Sequence, residues 1–361
     1  MVAPFISLLT LGFLVIVHEW GHLVVARWSG VRILRFSIGF GPRLRTWVRG
    51  GTEYAVSAIP LGGYVKMAGE QYTSDVAPAP GDYLSKPIHT RAAIVFAGPF
   101  VNYLVALLSL WIVFIIGYPE LLPVVGNVVD KMPAKAAGLA VGDRIQQING
   151  RPIHTWEEMT TLIYQSSNRS LSFQVEHEGT TRVLTMTPQP KVTTDPFGRP
   201  KTIGLIGIAP SGAFQTYRVG PLPALGRALR QQYEWTIQTL LALGSMVTGR
   251  LSLRDSVTGP IGIIFLTSEA VRMGLSPLLF LMSLFSLSLA LFNLFPIPIL
   301  DGGHLFFLVV EKLRGRPVSI NVQERSAQVS FVLLVALALI ICINDLNRFK
   351  LLEKLMGWVG R

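Results

Sequence analysis

The sequence predicts a multi-span α-helical membrane protein of about four transmembrane helices, with a cytoplasmic membrane-associated β element and an extracytoplasmic β-rich domain. Three observations predict it. Half of the 361 residues are apolar and only 15% are charged, against about 25% in soluble domains; the mean hydropathy is +0.47. Four apolar segments, 5–26, 92–116, 276–300 continuing towards 310, and 326–344, are long enough for a bilayer, which takes about 20 residues of helix. Between the second and third, residues 117–275 have the charge density of a folded aqueous domain.

The first segment, 1–27, holds no charged residue before His18 and then reads His18-Glu19-Trp20-Gly21-His22, followed by Leu23-Val24-Val25-Ala26. It lacks the basic start of a secretory leader, and cleavage would destroy the motif, so it is expected to be a retained span. Ionisable groups inside a span are costly and mark function. On a helix the i, i+4 spacing puts both imidazoles on one face, the H-E-x-x-H arrangement of two zinc ligands with Glu19 as candidate general base.

Charge sets the expected topology. Nine Lys and Arg lie from Arg27 to Arg91 and four more from Glu311 to Arg325, with none before His18. Basic loops face the cytoplasm, which places the N-terminus and the large domain outside. The net charge of +11 is read as topological, with no nucleic-acid partner. Four spans put the tail, 346–361, outside too, against the charge of its Arg348, Lys350, Lys354 and Arg361. The single cysteine, Cys342, lies in the last span (326–345), so the outer domain is held by its core alone.

The loop 28–91 has strand-like runs at 33–41, 54–59 and 60–67, a hairpin-like pattern. The third span (276–310) carries Asn293-Leu294-Phe295-Pro296-Ile297-Pro298-Ile299-Leu300-Asp301-Gly302-Gly303-His304. Asp301 is a carboxylate deep in an apolar run and the candidate third metal ligand; His304, three residues on, competes with it. Two prolines and the glycine pair are expected to break the helix, which at membrane depth requires burial in protein or a wet cavity.

In the outer domain, short β-type runs alternate with glycine turns through Val124-Val125-Gly126-Asn127-Val128, Ala137-Gly138-Leu139, Val141-Gly142-Asp143-Arg144-Ile145 and Ile148-Asn149-Gly150. A helix with Trp156, Met159 and Ile163 follows, then strands at 171–176 and 181–187 and a closing strand Ile203–Ala209. The order resembles a PDZ domain of the protease-associated type over 117–210 and sets the domain at 117–212, with its peptide groove beside the closing strand. Residues 213–275 follow as an extracytoplasmic amphipathic helical region, with Leu225, Leu229, Tyr233, Ile237 and Leu240 at helical spacing.

The two distant metal half-motifs, Gly98-Pro99-Phe100-Val101-Asn102 in the second span and the intervening domain together resemble the bacterial site-2 protease family, in its sigma-E regulator protease branch, over nearly the whole chain. One PDZ domain stands where the best-known members have two. The resemblance implies Zn2+ held by His18, His22 and Asp301, Glu19 as general base, His304 in a supporting role, and Asn293, Pro296 and Pro298 in substrate handling. Asn293 fits a polar bridge between helices equally, and Asn102 reads as packing or site support.

The resemblance also implies that the β element is re-entrant and pairs with an extended substrate. The expected protein is a multi-pass intramembrane zinc metalloendopeptidase of the bacterial cytoplasmic (inner) membrane. It would make the second cut in regulated intramembrane proteolysis, on single-span substrates of anti-sigma factor type with remnant signal peptides as a second class, after an upstream site-1 protease. Its PDZ domain would be an extracytoplasmic size filter. The alternative is a non-enzymatic metal-binding membrane scaffold or metal transporter presenting a PDZ domain; a transporter needs polar sites along a path, and here they converge on one point.

Overall fold

The computed structural model describes residues 2–70, 78–195, 197–252 and 258–348; the tail beyond them lies outside the described residues. The chain divides into two compact units, one built mainly from residues 1–113, 224–237 and 254–361, the other from 114–223 and 238–253.

The first unit begins with α1 (Val2–Trp28), β1 (Ile33–Arg49), β2 (Thr52–Met67) and most of α2 (Ile88–Ile116). Strands β1 and β2 are antiparallel, but residues 35–38 of β1 have partners on both sides. Phe36 faces both Tyr54 and Val65, and Ser37 both Ala55 and Tyr64. Strand β2 therefore doubles back around β1, and its last arm, 63–67, forms an outer edge. Arg35 and Arg43 both pair with Glu53, at 2.8 and 3.1 Å. Leu23, Ala26, Val31, Ile33, Phe36, Met67 and Ile94 close a core that fastens the hairpin to α1 and α2.

The second unit holds β3 (Tyr118–Leu121), β4 (Val125–Val128), α3 (Pro133–Ala136), β5 (Arg144–Ile148), β6 (Arg151–Pro152), α4 (Trp156–Gln165), β7 (Leu171–His177), β8 (Thr180–Met186), β9 (Gln189–Thr194), β10 (Pro200–Leu205), β11 (Ile208–Pro210) and β12 (Phe214–Tyr217). A four-stranded sheet runs β6-β5-β7-β8; β9 pairs with β10, β4 with β11, and β3 with β12. Helix α4 starts at Thr155, whose side chain accepts from Glu158 N, while Glu158 accepts in return from His154 N at 2.9 Å, a reciprocal cap. Its buried Met159 and Ile163 join Val125, Ile145, Phe173 and Val175 in the core.

The closing strand expected over 203–209 is two strands, β10 and β11, with separate partners. Gly207 between them has φ +83°, and a Cβ there would lie 2.3 Å from Met132 Cβ, so the chain turns where a side chain would neither fit nor find its backbone conformation. Strand β9 had no expected counterpart: Gln189-Pro190-Lys191 alternates no apolar residues and its burial is low.

Helix α5 (Pro221–Val247) contributes to both units. The first unit resumes with α6 (Pro260–Met273), α7 (Leu275–Asn293), α8 (Asp301–Arg314) and α9 (Ile320–Arg348). Helices α1, α2, α7 and α9 are long and apolar enough to cross a membrane. Val329, Phe331, Leu333, Leu339 and Ile340 of α9 are all exposed, and apolar surface of that extent is stable only against lipid or another apolar partner.

The third apolar segment is two helices, interrupted at residues 294–300. The glycine pair lies within α8 and is buried. Its role is close approach: a Cβ on Gly302 would lie 2.2 Å from Phe295 O, and one on Gly303 2.3 Å from Ile297 O. The Pro296/Pro298 segment thus folds back over the start of α8, and the break belongs to the prolines, which withhold backbone donors, rather than to the glycines.

Candidate metal centre

His18 and His22 sit on successive turns of α1, ring centroids 4.8 Å apart and edge-on at 83°. Asp301, first residue of α8, comes to them from the far end of the chain. Its Oδ2 lies 3.0 Å from His18 Nε2 and 3.5 Å from His22 Nε2, and the two Nε2 atoms are 3.2 Å apart. A carboxylate at a helix N-terminus is favoured by the helix dipole, which offsets part of the cost of holding it here.

Each group is fixed from behind. His22 Nδ1 donates to the Ile94 carbonyl at 2.8 Å, so its neutral ring presents a lone pair at Nε2. His18 Nδ1 faces the Asn102 side chain at 3.2 Å. Helices α1 and α2 meet at backbone contact, since a Cβ on Gly21 would lie 2.6 Å from Ala97 O.

These residues fit a metal ion. His18, His22 and Asp301 form a group of ligand atoms mutually within 4.8 Å. The Asp301 Oδ2 is buried and makes no hydrogen bond of good geometry, an orphan that a cation would satisfy. Space is left on the α2 side too: a Cβ on Gly98 would stand 2.3 Å from His22 Nε2 and 2.8 Å from His18 Nε2. Two imidazoles and one carboxylate are a donor set that suits catalytic zinc.

Glu19 lies beside the cluster, and its Oε2 accepts from Val65 N at 3.2 Å, so the outer edge of β2 reaches the site. A cavity of about 200 Å³ lined by Glu19, His22, Asp301 and His304 continues to the ion pair between the buried Arg91 and the half-buried Glu311. That volume admits several waters, each taking about 30 Å³ in the liquid. A second cavity of about 630 Å³ follows the β2 edge from Tyr64 to Met67, with Pro298 and Ile299 across from it.

The structure brings His18, Glu19, His22 and Asp301 together. His304 lines both cavities and lies outside the ligand group among the described residues. Pro298 borders the second cavity, Asn293 ends α7 half-buried, and Pro296 is exposed. Sequence reasoning missed three contributors: the Ile94 carbonyl, the Val65 N–H and the bare Cα of Gly98. Only Gly98 left a trace, in the Gly98-to-Asn102 spacing of one helical turn. The two backbone groups carry no residue signature.

The model for peptidase family M50 matches residues 6–337. A chain named as a zinc metalloprotease in Rhizobium meliloti (strain 1021) is 37% identical over 365 residues, covering 96% of both chains. The regulator of sigma-E protease RseP of Escherichia coli (strain K12) is 31% identical over 445 residues, covering 94% of this chain and 97% of that one. Zinc metalloprotease RasP of Geobacillus kaustophilus (strain HTA426) is 29% identical over 417 residues, covering 94% and 96%. A solved PDZ domain from Listeria monocytogenes is 22% identical over 26% of this chain and 88% of its own, with a TM-score of 0.20, too low to argue fold. Match and relatives span almost the whole chain: it belongs to peptidase family M50, the site-2 protease family, and is an intramembrane zinc metalloprotease.

Proposed function

We propose that this protein makes the second cut in regulated intramembrane proteolysis, on single-span membrane proteins already trimmed outside the membrane by a site-1 protease. His18, His22 and Asp301 would hold zinc and Glu19 would act as general base. The observation that carries this is Glu19 itself: a carboxylate oriented by a strand-edge N–H, beside the three candidate ligand atoms, lining a cavity with room for several waters.

The chemistry zinc supplies when bound is Lewis acidity, which polarises a scissile carbonyl and makes water nucleophilic near neutral pH. The protein's residues do the rest. The Val65 N–H engages Glu19 Oε2, which sets the carboxylate plane and leaves Oε1 to take a proton from water and pass it to the leaving amine. A peptide bond inside a helix is shielded and already hydrogen-bonded, so the substrate has to be extended at the site. The outer arm of β2 offers an edge for it, and the cavity between Tyr64–Met67 and Pro298–Ile299 has room for one strand. Pro298 then shapes the opposite wall, with Pro296 and Asn293 preceding it in the segment that leads there from α7.

The basic loops support a topology with the hairpin in the cytoplasm and the β-rich unit outside a bacterial inner membrane. That unit is read as a PDZ domain that admits trimmed substrates and excludes bulky ones. The similarity to the regulator of sigma-E protease supports substrates of anti-sigma factor type, with remnant signal peptides as a second class. Coexpression of wild type or Glu19→Gln with a tagged single-span substrate lacking its outer domain, followed by immunoblot, tests the reading. A product from the wild type alone is expected. A wild type that never cuts and holds no zinc after purification refutes it.

A further inference from the structure

Asn102 is fully buried in α2, and its backbone carbonyl accepts from the buried Ser286 Oγ of α7 at 2.7 Å. Its Nδ2 stands 3.2 Å from His18 Nδ1 while its Oδ1 has no hydrogen-bond partner. Nδ2 only donates, so in this rotamer His18 Nδ1 must accept and the neutral ring carries its proton on Nε2, pointed at His22 and Asp301. That tautomer has no lone pair for a metal. Rotating the amide by 180° exchanges two atoms of nearly equal size: Oδ1 then accepts from His18 Nδ1–H, and the Nε2 lone pair turns to the site.

We propose that Asn102 is a positioning residue for His18, its side-chain carbonyl holding the ligand in the metal-binding tautomer as the Ile94 carbonyl holds His22. Ligating histidines generally donate their other ring N–H to such an acceptor, and its loss costs about 10–100-fold in metal affinity. Ser286 anchors the helix turn that carries the amide. The two imidazoles would thus be set from one helix, α2, by one main-chain and one side-chain carbonyl a little over two turns apart.

The inference rests on the zinc reading of the triad, and its test separates the two. Zinc affinity is measured by chelator competition on the full-length detergent-purified protein, for wild type, Asn102→Leu and Asn102→Asp, with thermal unfolding as a folding check. Asn102→Leu is expected to bind about 10–100-fold more weakly. Asn102→Asp, isosteric and an acceptor at both oxygens, is expected to stay within about threefold of wild type. Wild-type affinity in Asn102→Leu overturns the proposal, as does an Asn102→Asp loss equal to that of Asn102→Leu, which would mean that the amide acts as donor or packing. If Asn102→Leu does not fold, Asn102→Asp alone decides by retention or loss. A wild type that binds no zinc refutes the triad reading itself.

Discussion

Gly98→Ala tests whether the bare Cα of α2 is what leaves room for the metal. The added carbon would lie 2.3 Å from His22 Nε2 and 2.8 Å from His18 Nε2. An ordinary contact begins near 3.4 Å, so the deficits are 1.1 and 0.6 Å. Zinc–nitrogen bonds are about 2.0–2.1 Å long, so a carbon this close to both nitrogens competes for the metal's own place. Relief by moving α2 away would open the Gly21–Ala97 contact, and overpacking of this kind costs about 1–3 kcal/mol. Metal-free protein can escape by turning the imidazoles aside, and metal-loaded protein cannot. The cost therefore falls on binding, at about tenfold per 1.4 kcal/mol, and zinc affinity should drop roughly 5- to 150-fold while the metal-free protein unfolds near its usual temperature. Chelator competition reads the first quantity and a thermal scan the second. Gly226→Ala on α5, where a Cβ meets nothing within 4 Å, is the control. Wild-type zinc affinity together with wild-type cleavage in Gly98→Ala would refute the reasoning.

Three other outcomes are expected. Val65→Pro removes the N–H that Glu19 accepts from at an edge position where proline is tolerated; a hydrogen bond to a charged group is worth about 1.5–3 kcal/mol, so kcat should fall about 10- to 100-fold with zinc content unchanged, and an unaltered kcat would show Glu19 to be oriented otherwise. Arg91→Met leaves Glu311 without its buried partner and should destabilise by about 3–5 kcal/mol, with much of that recovered when Glu311→Leu is added; urea denaturation in detergent measures both. Deleting residues 117–210 should permit cleavage of untrimmed substrate, seen by immunoblot, and unchanged selectivity would sink the size filter.

Much of the fold is legible before any coordinates because each signal is local. The apolar runs are as long as a bilayer is thick, so α1, α2, α7 and α9 follow from hydropathy. Strand-like composition at 33–67 marks the hairpin, although nothing in Gly62-Gly63 says that β2 folds back to flank β1 a second time; that depends on pairing with residues far from the turn. The glycine pair after Asp301 reads as a helix breaker by propensity. In the structure both glycines are helical, and their smallness serves the returning Pro296/Pro298 segment, a contact that propensity does not encode.

The sequence by itself determined the residue types of the candidate ligand set and the helical face that bears His18 and His22, because i, i+4 spacing is a property of one helix. The arrival of Asp301 from α8, the Ile94 carbonyl behind His22, the Val65 N–H on Glu19 and the empty space over Gly98 were decided only by tertiary structure. Main-chain groups and the absence of a side chain become chemistry only when another element is packed against them, and no single segment of the chain specifies which element that will be.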